Sequence, residues 1–337
     1  MYNGELLFHK DFHDTIRAIK EANLNNFDDI SKQIDVNHEL LRFNNHKIES
    51  INRGIYASNP QNGGDYTSKI LNMIGAYDES FFQYDSLEGN LFLTSHSFVI
   101  LTEYDWVPIN LLTTYFVTSS LTISEKNNLL EYSEDPSVLL SKKYSADRKI
   151  FLTDNVQNGS IIFIDGPLIG GNQTYYTIDM VKELNDMDIT PIFFVKNSPS
   201  SLLINSNEQF KKDFNSDIHW ASVTLKSGEF SNWFKYTDQL NQEFSKIFCY
   251  YKPYSGFSPQ RIELHPHTFI KNENRINQLL DCISYLMFAN GDKRNPQIRP
   301  IAIAERYARE TKKYVNVNKL IKGSGLVPTM NEERGFN

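Results

Sequence analysis

The segment IIFIDGPLIGG, residues 161–171, carries an acid to a place where it could do chemistry. Its four leading apolar residues read as a strand buried on both faces. Gly166 and Pro167 then turn the chain at once, so Asp165 stands at the carboxyl end of that strand, where ligands approach open α/β sheets. The chemistry open to a carboxylate there is divalent-metal binding. Mg²⁺ and Mn²⁺ prefer carboxylate oxygens, and a bound ion polarises phosphate and activates water. An equally simple reading has the Asp165 side chain capping its own turn. GPLIGG is no phosphate cradle, because it lacks the Lys-Ser/Thr pair of a P-loop and the spacing of a dinucleotide fingerprint.

A second segment, RPIAIAERYARETKK (299–313), reads as a helix with Pro300 near its start and Ile303, Ala304, Tyr307 and Ala308 toward a core. Glu305 and Arg309, four apart, suit an ion pair on its surface. His265 and His267 flank Pro266, yet no acid or cysteine stands beside them to complete a metal site. Basic residues gather late in the chain: Lys293, Arg294, Arg299, Arg306, Arg309, Lys312, Lys313, Lys319 and Lys322. They form either a cationic rim for a phosphate backbone or a solvated face.

The elements that must position these residues follow from periodicity. Phe12, Ile16, Ile19, Ile30, Ile34, Leu40 and Leu41 predict a helical N-terminal arm over residues 1–60, ended by the turn-rich SNPQNGGDY (58–66). Short β-like runs follow at 91–94, 97–102 and 115–123, then a helix over 136–157, the IIFID strand and a helix over 174–185. PIFFV (191–195) reads as another buried strand, 207–214 and 230–245 as helices around a strand near 218–225, and KIFCYYK and QRIELH as strands. Ile276, Leu279, Leu280, Ile283 and Leu286 mark an amphipathic helix over 272–289. The order predicts an α/β protein with a mixed sheet flanked by helices, its main domain over 61–320 and a tail over 321–337.

Charge narrows the possible partners. A net charge of −7 argues against gripping nucleic acid by bulk electrostatics, so any DNA contact is local or assisted. With no run of eighteen apolar residues and an acidic, histidine-bearing start (MYNGELLFHKDFHD), no membrane association and a cytoplasmic location are expected. Cys249 and Cys282 lack CxxC spacing and read as small core residues.

The ordered set IIFIDGPL, FCYYK, QRIEL, an amphipathic helix and PIAIAERYARE resembles the NurA nuclease family in content and order over roughly residues 95–315. The resemblance implies an RNase H-like fold, Mn²⁺- or Mg²⁺-dependent DNA cleavage, a homodimer, and a HerA-type hexameric ATPase as partner in DNA end processing or anti-phage defence. It assigns Asp165 to the family's DG aspartate, a metal ligand. For the family's first ligand, a D-G-S aspartate at a strand end, no such triplet occurs; Glu103 or Asp105 in SFVILTEYDW is the nearest substitute. Asp147 matches the acid on the helix before the DG strand, with Asp154 competing, and Glu263 matches a recurrent strand acid. Glu305 falls where the family carries a histidine, and the family's Tyr-Pro segment becomes NPQIRP, without a tyrosine. The site expected from the resemblance is therefore Asp165, Asp147, Glu305 and Glu103 for catalysis and metal, with Asp105 a further metal candidate. Arg299, Arg306, Arg309 and Lys312 are placed on nucleic acid. The alternative is a catalytically degenerate subunit that docks on the ATPase and guides DNA.

Overall fold

Strand structure begins well before Leu91. The computed structural model describes residues 10–22, 41–43, 46–51, 54–196, 200–206, 208–292 and 296–329. They fall into two units, Met1–Asp35 and Val36–Asn337. In the first unit, helix α1 (Phe12–Glu21) sets Phe12, Ile16 and Ile19 at helical spacing. Ile30, Ile34 and Leu40 of the expected arm lie outside the described residues.

The second unit opens with strands where a helix was expected: β1 (Leu41–Phe43), β2 (His46–Ile51) and β3 (Tyr56–Ala57). In β2 only Ile48 is fully buried, so polar neighbours at every other position suit a strand better than a helix. The turn-rich stretch is itself a helix, α2 (Pro60–Lys69), with Asn59 as N-cap and Pro60 at its first turn. Its glycines have a physical reason. A Cβ on Gly63 would stand 2.0 Å from the backbone oxygen of Asp281, so the glycine allows two helices to touch. Gly63→Ala is expected to cost about 1–3 kcal/mol of stability, read from the midpoint of a urea melt.

Three long strands follow: β4 (Ile74–Asp85), β5 (Asn90–Leu101) and β6 (Trp106–Thr118). A short helix α3 (Leu121–Ser124), strand β7 (Leu130–Tyr132) and the long helix α4 (Pro136–Asn155) lead into β8 (Ile161–Asp165). Helix α5 (Thr174–Asp186) crosses to β9 (Thr190–Val195). Next come α6 (Glu208–Asp213) and α7 (Asp217–Thr224), the latter a helix where a strand was expected. Strands β10 (Glu229–Phe230) and β11 (Trp233–Asp238) replace the helix expected over 230–245. Trp233, Phe234 and Tyr236 are all buried there, and their bulky aromatic rings fit a pleated surface. Strands β12 (Ser245–Lys252) and β13 (Gln260–Leu264) precede α8 (Pro266–Lys271), α9 (Ile276–Asn290), α10 (Arg299–Thr311) and α11 (Val317–Ser324).

Among the described residues one mixed sheet runs β1-β2-β11-β12-β13-β9-β8-β4-β5-β6-β7. At its centre β4, β8 and β9 are parallel, while β4-β5-β6 form an antiparallel meander. Each face has its own core. Ile74, Ala76, Ile161 and Phe163 pack with Leu279, Leu280 and Ile283 of α9 and with Ile301 and Ala304 of α10. Tyr77, Ile162 and Ile164 point the other way, toward Phe151 and Leu152 of α4 and Ile178 and Val181 of α5. Cys249 and Cys282 are buried and unpaired by any disulfide, as small core residues would be. Among the described residues no helix is long and apolar enough to cross a membrane.

Candidate active site

Parallel pairing of β4 and β8 sets Tyr77 opposite Ile164, so the next residue on each strand, Asp78 and Asp165, stands level at the same end of the sheet. Period-two alternation puts both on the face of Ala76 and Phe163, beneath α10. That helix buries Pro300, Ile301, Ala304 and Ala308. Glu305 follows Ala304, its side chain one-fifth exposed. Lys196, the first residue past β9, reaches between the acids: its Nζ lies 2.8 Å from Asp165 Oδ2 and 3.4 Å from Glu305 Oε2. Gln297 donates to the same Glu305 oxygen at 3.0 Å, and Arg309 pairs with the other oxygen.

The electrostatics are those of crowded acids around one ammonium. Asp78 is 7% exposed. Burial, and then the charges of Asp165 and Glu79, push its carboxyl up to about 8. Burial works against the Lys196 ammonium, but Asp165, Glu305 and Asp78 outweigh it and hold its pKa above the usual lysine range. Burial would also raise Glu305, yet Gln297, Lys196 and Arg309 together keep it below the usual carboxylate range. On the opposite face Glu79 accepts from the Tyr144 hydroxyl, while its second oxygen is buried without a partner. Burial raises the Glu79 carboxyl, against the pull of Arg148. Deeper on that face, Tyr77 and His96 Nδ1 share a hydrogen bond of 2.6 Å, and burial pushes His96 down to about 4.

The structure brings Asp165 and Glu305 to one place, and Asp78 with them. Glu103 and Asp105 lie elsewhere, in the β5-β6 hairpin. Ser97 is level with Asp78, and Glu103 is six residues further along, on the order of 20 Å toward the opposite end of the sheet. Asp105 there accepts from the Trp106 N–H at 2.7 Å, a local turn role. Asp147 sits on α4, across the sheet from Asp165, and takes the Tyr115 hydroxyl at 2.5 Å. Glu263 is fully buried between Lys246 and Arg261, at 2.6 and 2.7 Å. His265 caps α8 by accepting from the His267 N–H.

Of the basic residues, Arg306 and Arg309 are exposed on α10, Arg299 donates to the Ala289 carbonyl, and Lys312 reaches the Phe81 carbonyl. Lys312 therefore meets β4 three residues along from Asp78. Lys293 and Arg294 lie outside the described residues. Sequence reading missed Asp78, Lys196 and Gln297. Asp78 leaves one local hint in GAYDESFFQYD, an acid after an apolar strand start, which the polar run that it opens obscures.

No three His, Cys, Asp or Glu side chains among the described residues are gathered closely enough to hold a metal as they stand. The donors nonetheless fit a hard divalent cation in kind. Carboxylate oxygens from β4, β8 and α10 share one face, and the ammonium between two of them marks a position that favours positive charge.

Central strands in the order β6-β5-β4-β8-β9, crossed by α4 and α5 and carrying acids at one end, define a protein of the RNase H-like fold. The chain belongs to the NurA family: the NurA domain matches residues 115–310. Among solved structures, the NurA nuclease from Sulfolobus solfataricus is 12% identical with a TM-score of 0.50, over 94% of this chain and 98% of that one. The Ciona intestinalis endonuclease V bound to inosine-containing DNA is 12% identical at a TM-score of 0.37, covering 75% of this chain and 96% of its own. The Bacillus subtilis endonuclease V is 7% identical at 0.39, covering 76% and 91%. Among curated proteins none matches the sequence.

Proposed function

We propose that this protein is a divalent-metal-dependent deoxyribonuclease in which Asp78, Asp165 and Glu305 hold Mn²⁺ or Mg²⁺. The observation that carries the reading is the convergence of these acids from β4, β8 and α10 on one face of the sheet, beside Lys196. Membership of the NurA family supports it. When bound, the metal would polarise the scissile phosphate and lower the pKa of an attacking water. The chain's own residues do the rest. Lys196, displaced from the acids, supplies a cation to the phosphate, and Gln297 holds Glu305 in place. Arg306 and Arg309 on α10, with Lys312 beside β4, lie along the DNA backbone and position it without reading sequence.

The acidic net charge of −7 suits a nuclease fed by another DNA-holding protein, and a HerA-type hexameric ATPase acting on a homodimer fits that need. DNA end processing and anti-phage defence are the settings this pairing serves. The test is cleavage of plasmid and linear DNA with Mn²⁺, Mg²⁺ and EDTA, with and without the ATPase, for wild type and Asp165→Ala. Metal-dependent cleavage lost in the variant is the expected result. Cleavage that Asp165→Ala retains would remove Asp165 from the site.

One observation favours a second reading, a non-catalytic subunit that docks on the ATPase: Lys196 already supplies a charge between the acids where a metal would sit. Calorimetry separates the two. In the nuclease reading the ammonium competes with the ion, so Lys196→Met should tighten Mn²⁺ binding about tenfold. Absence of Mn²⁺ binding in both wild type and Lys196→Met would establish the scaffold reading instead.

A further inference from the structure

A cavity of about 360 Å³ opens on the α4/α5 face of the sheet and is lined by Lys246, Arg261, Ser200, Ser201, Asn205 and Tyr236. Lys246 and Arg261 are 3% and 4% exposed, so two cations are buried at its wall. Glu263 is their shared carboxylate, touching both at 2.6 and 2.7 Å. A second carboxylate, Asp217, also attracts the Lys246 ammonium. Asp217 accepts from Ser200 Oγ, the Tyr250 hydroxyl and the N–H groups of Leu202, Leu203 and Ile204, and so shapes the loop that forms the cavity wall.

We propose that this cavity is a phosphomonoester site that receives the terminal phosphate of a DNA strand. Cationic side chains beside hydroxyl and amide donors are the groups that take a phosphate, and charge-assisted bonds to it are the strong ones. Burial, reinforced by Arg261, holds the Lys246 ammonium below the usual lysine range despite Glu263, so an added anion would relieve it. The volume is of the size that holds a nucleotide rather than a bare ion.

The cavity is coupled to the carboxylate site through the loop after β8. Ile169 lines the cavity, and the Leu168 N–H donates to Glu263 Oε2 at 2.8 Å. Four residues separate Asp165 from Ile169, a reach of at most about 14 Å. Asp165 and Asp78 lie on the opposite, α10 face, so a strand whose end phosphate occupies the cavity must pass around the end of the sheet to bring a phosphodiester to them. The assignment of the phosphate to DNA rests on the nuclease reading; the site itself does not.

The test uses the full chain in EDTA. Fluorescence anisotropy compares a single-stranded 12-mer carrying a 5′-phosphate, a 3′-phosphate or hydroxyls at both ends, and thermal shift is measured with inorganic phosphate and dAMP. One phosphorylated end should bind about tenfold tighter than the hydroxyl-ended strand. Asn205→Asp, nearly isosteric and placing a carboxylate at the wall, should abolish the difference, and Lys246→Met should do the same. A thermal shift with dAMP, lost in Asn205→Asp, but no preference among ends would support the site and assign it to free mononucleotides. Equal binding of all three strands with no thermal shift, or an end preference unchanged in Asn205→Asp, would overturn it. Binding at the cavity by a protein that cleaves no DNA would sink the nuclease reading and leave this site standing.

Discussion

Asp78→Asn is expected to yield a better-folded protein that cleaves DNA at least about a thousandfold more slowly, the scale on which loss of a metal-holding or charge-stabilising group acts. The two effects have one cause. In the metal-free protein the Asp78 carboxyl is raised from 3.8 to about 8 by burial and by the charges of Asp165 and Glu79. A carboxyl raised on folding binds its proton more tightly in the folded state. Its cost is absent below the unfolded pKa near 4, grows as pH rises between 4 and 8, and is fully present above 8. Asparagine removes the charge and keeps an oxygen for the Glu79 N–H that Asp78 now accepts at 2.8 Å. The metal-free variant should gain on the order of 2–4 kcal/mol at pH 7 and almost nothing at pH 4. Thermal melts at the two pH values, beside a cleavage assay, check it. A variant that loses activity and stability together would make Asp78 a structural residue, whereas the opposite signs mark a residue kept for function.

How much of this site the sequence disclosed depends on what kind of signal each residue leaves. Asp165 was legible because an unbroken apolar strand ends on it and the Gly166-Pro167 turn follows at once. Glu305 was placed by a helix whose Pro start and small apolar face are local patterns. Asp78 was not found, because three consecutive polar residues, Asp78, Glu79 and Ser80, interrupt the middle of β4 and erase the alternation by which a strand is recognised. The nearest strand end visible in the sequence is at Glu103 and Asp105, which the register of β4 against β5 puts at the far end of the sheet.

Lys196 left no sequence signal. Its role depends on β9 lying beside β8 and on α10 crossing above, and neither fact is local. Asp147 shows the converse case. Separation along the chain places it correctly on α4, but α4 packs on the face opposite Asp165, and chain separation carries no information about faces. The fold class itself survived because buried strands and amphipathic helices are written locally. The aromatic strand β11 did not, since Trp233, Phe234 and Tyr236 are all buried and offer neither period cleanly.

Glu263→Ala is expected to destabilise the protein by about 3–5 kcal/mol, because it leaves two buried cations without their carboxylate. Glu263 is fully buried, and Lys246 and Arg261 are nearly so. Three donors converge on its oxygens: Lys246 Nζ at 2.6 Å, Arg261 Nε at 2.7 Å and the Leu168 N–H at 2.8 Å. Burial alone would raise the Glu263 carboxyl, but the two cations outweigh it and hold it below its usual value. Its contribution is therefore present above the ordinary carboxylate pKa and is lost as pH falls through the lower folded value, so wild type should weaken on acidification more than the variant does. The loss should also reach the candidate site, since the Leu168 bond tethers the loop that follows Asp165. A denaturant midpoint fixes the first claim, and proteolysis of residues 165–171 the second. Glu263→Met combined with Lys246→Met and Arg261→Met tests the cause. If the penalty of the single variant comes from uncompensated charge, the apolar triple variant should recover most of the lost stability. Recovery must fail if the triad acts by shape instead, because three methionines cannot restore the bond to Leu168.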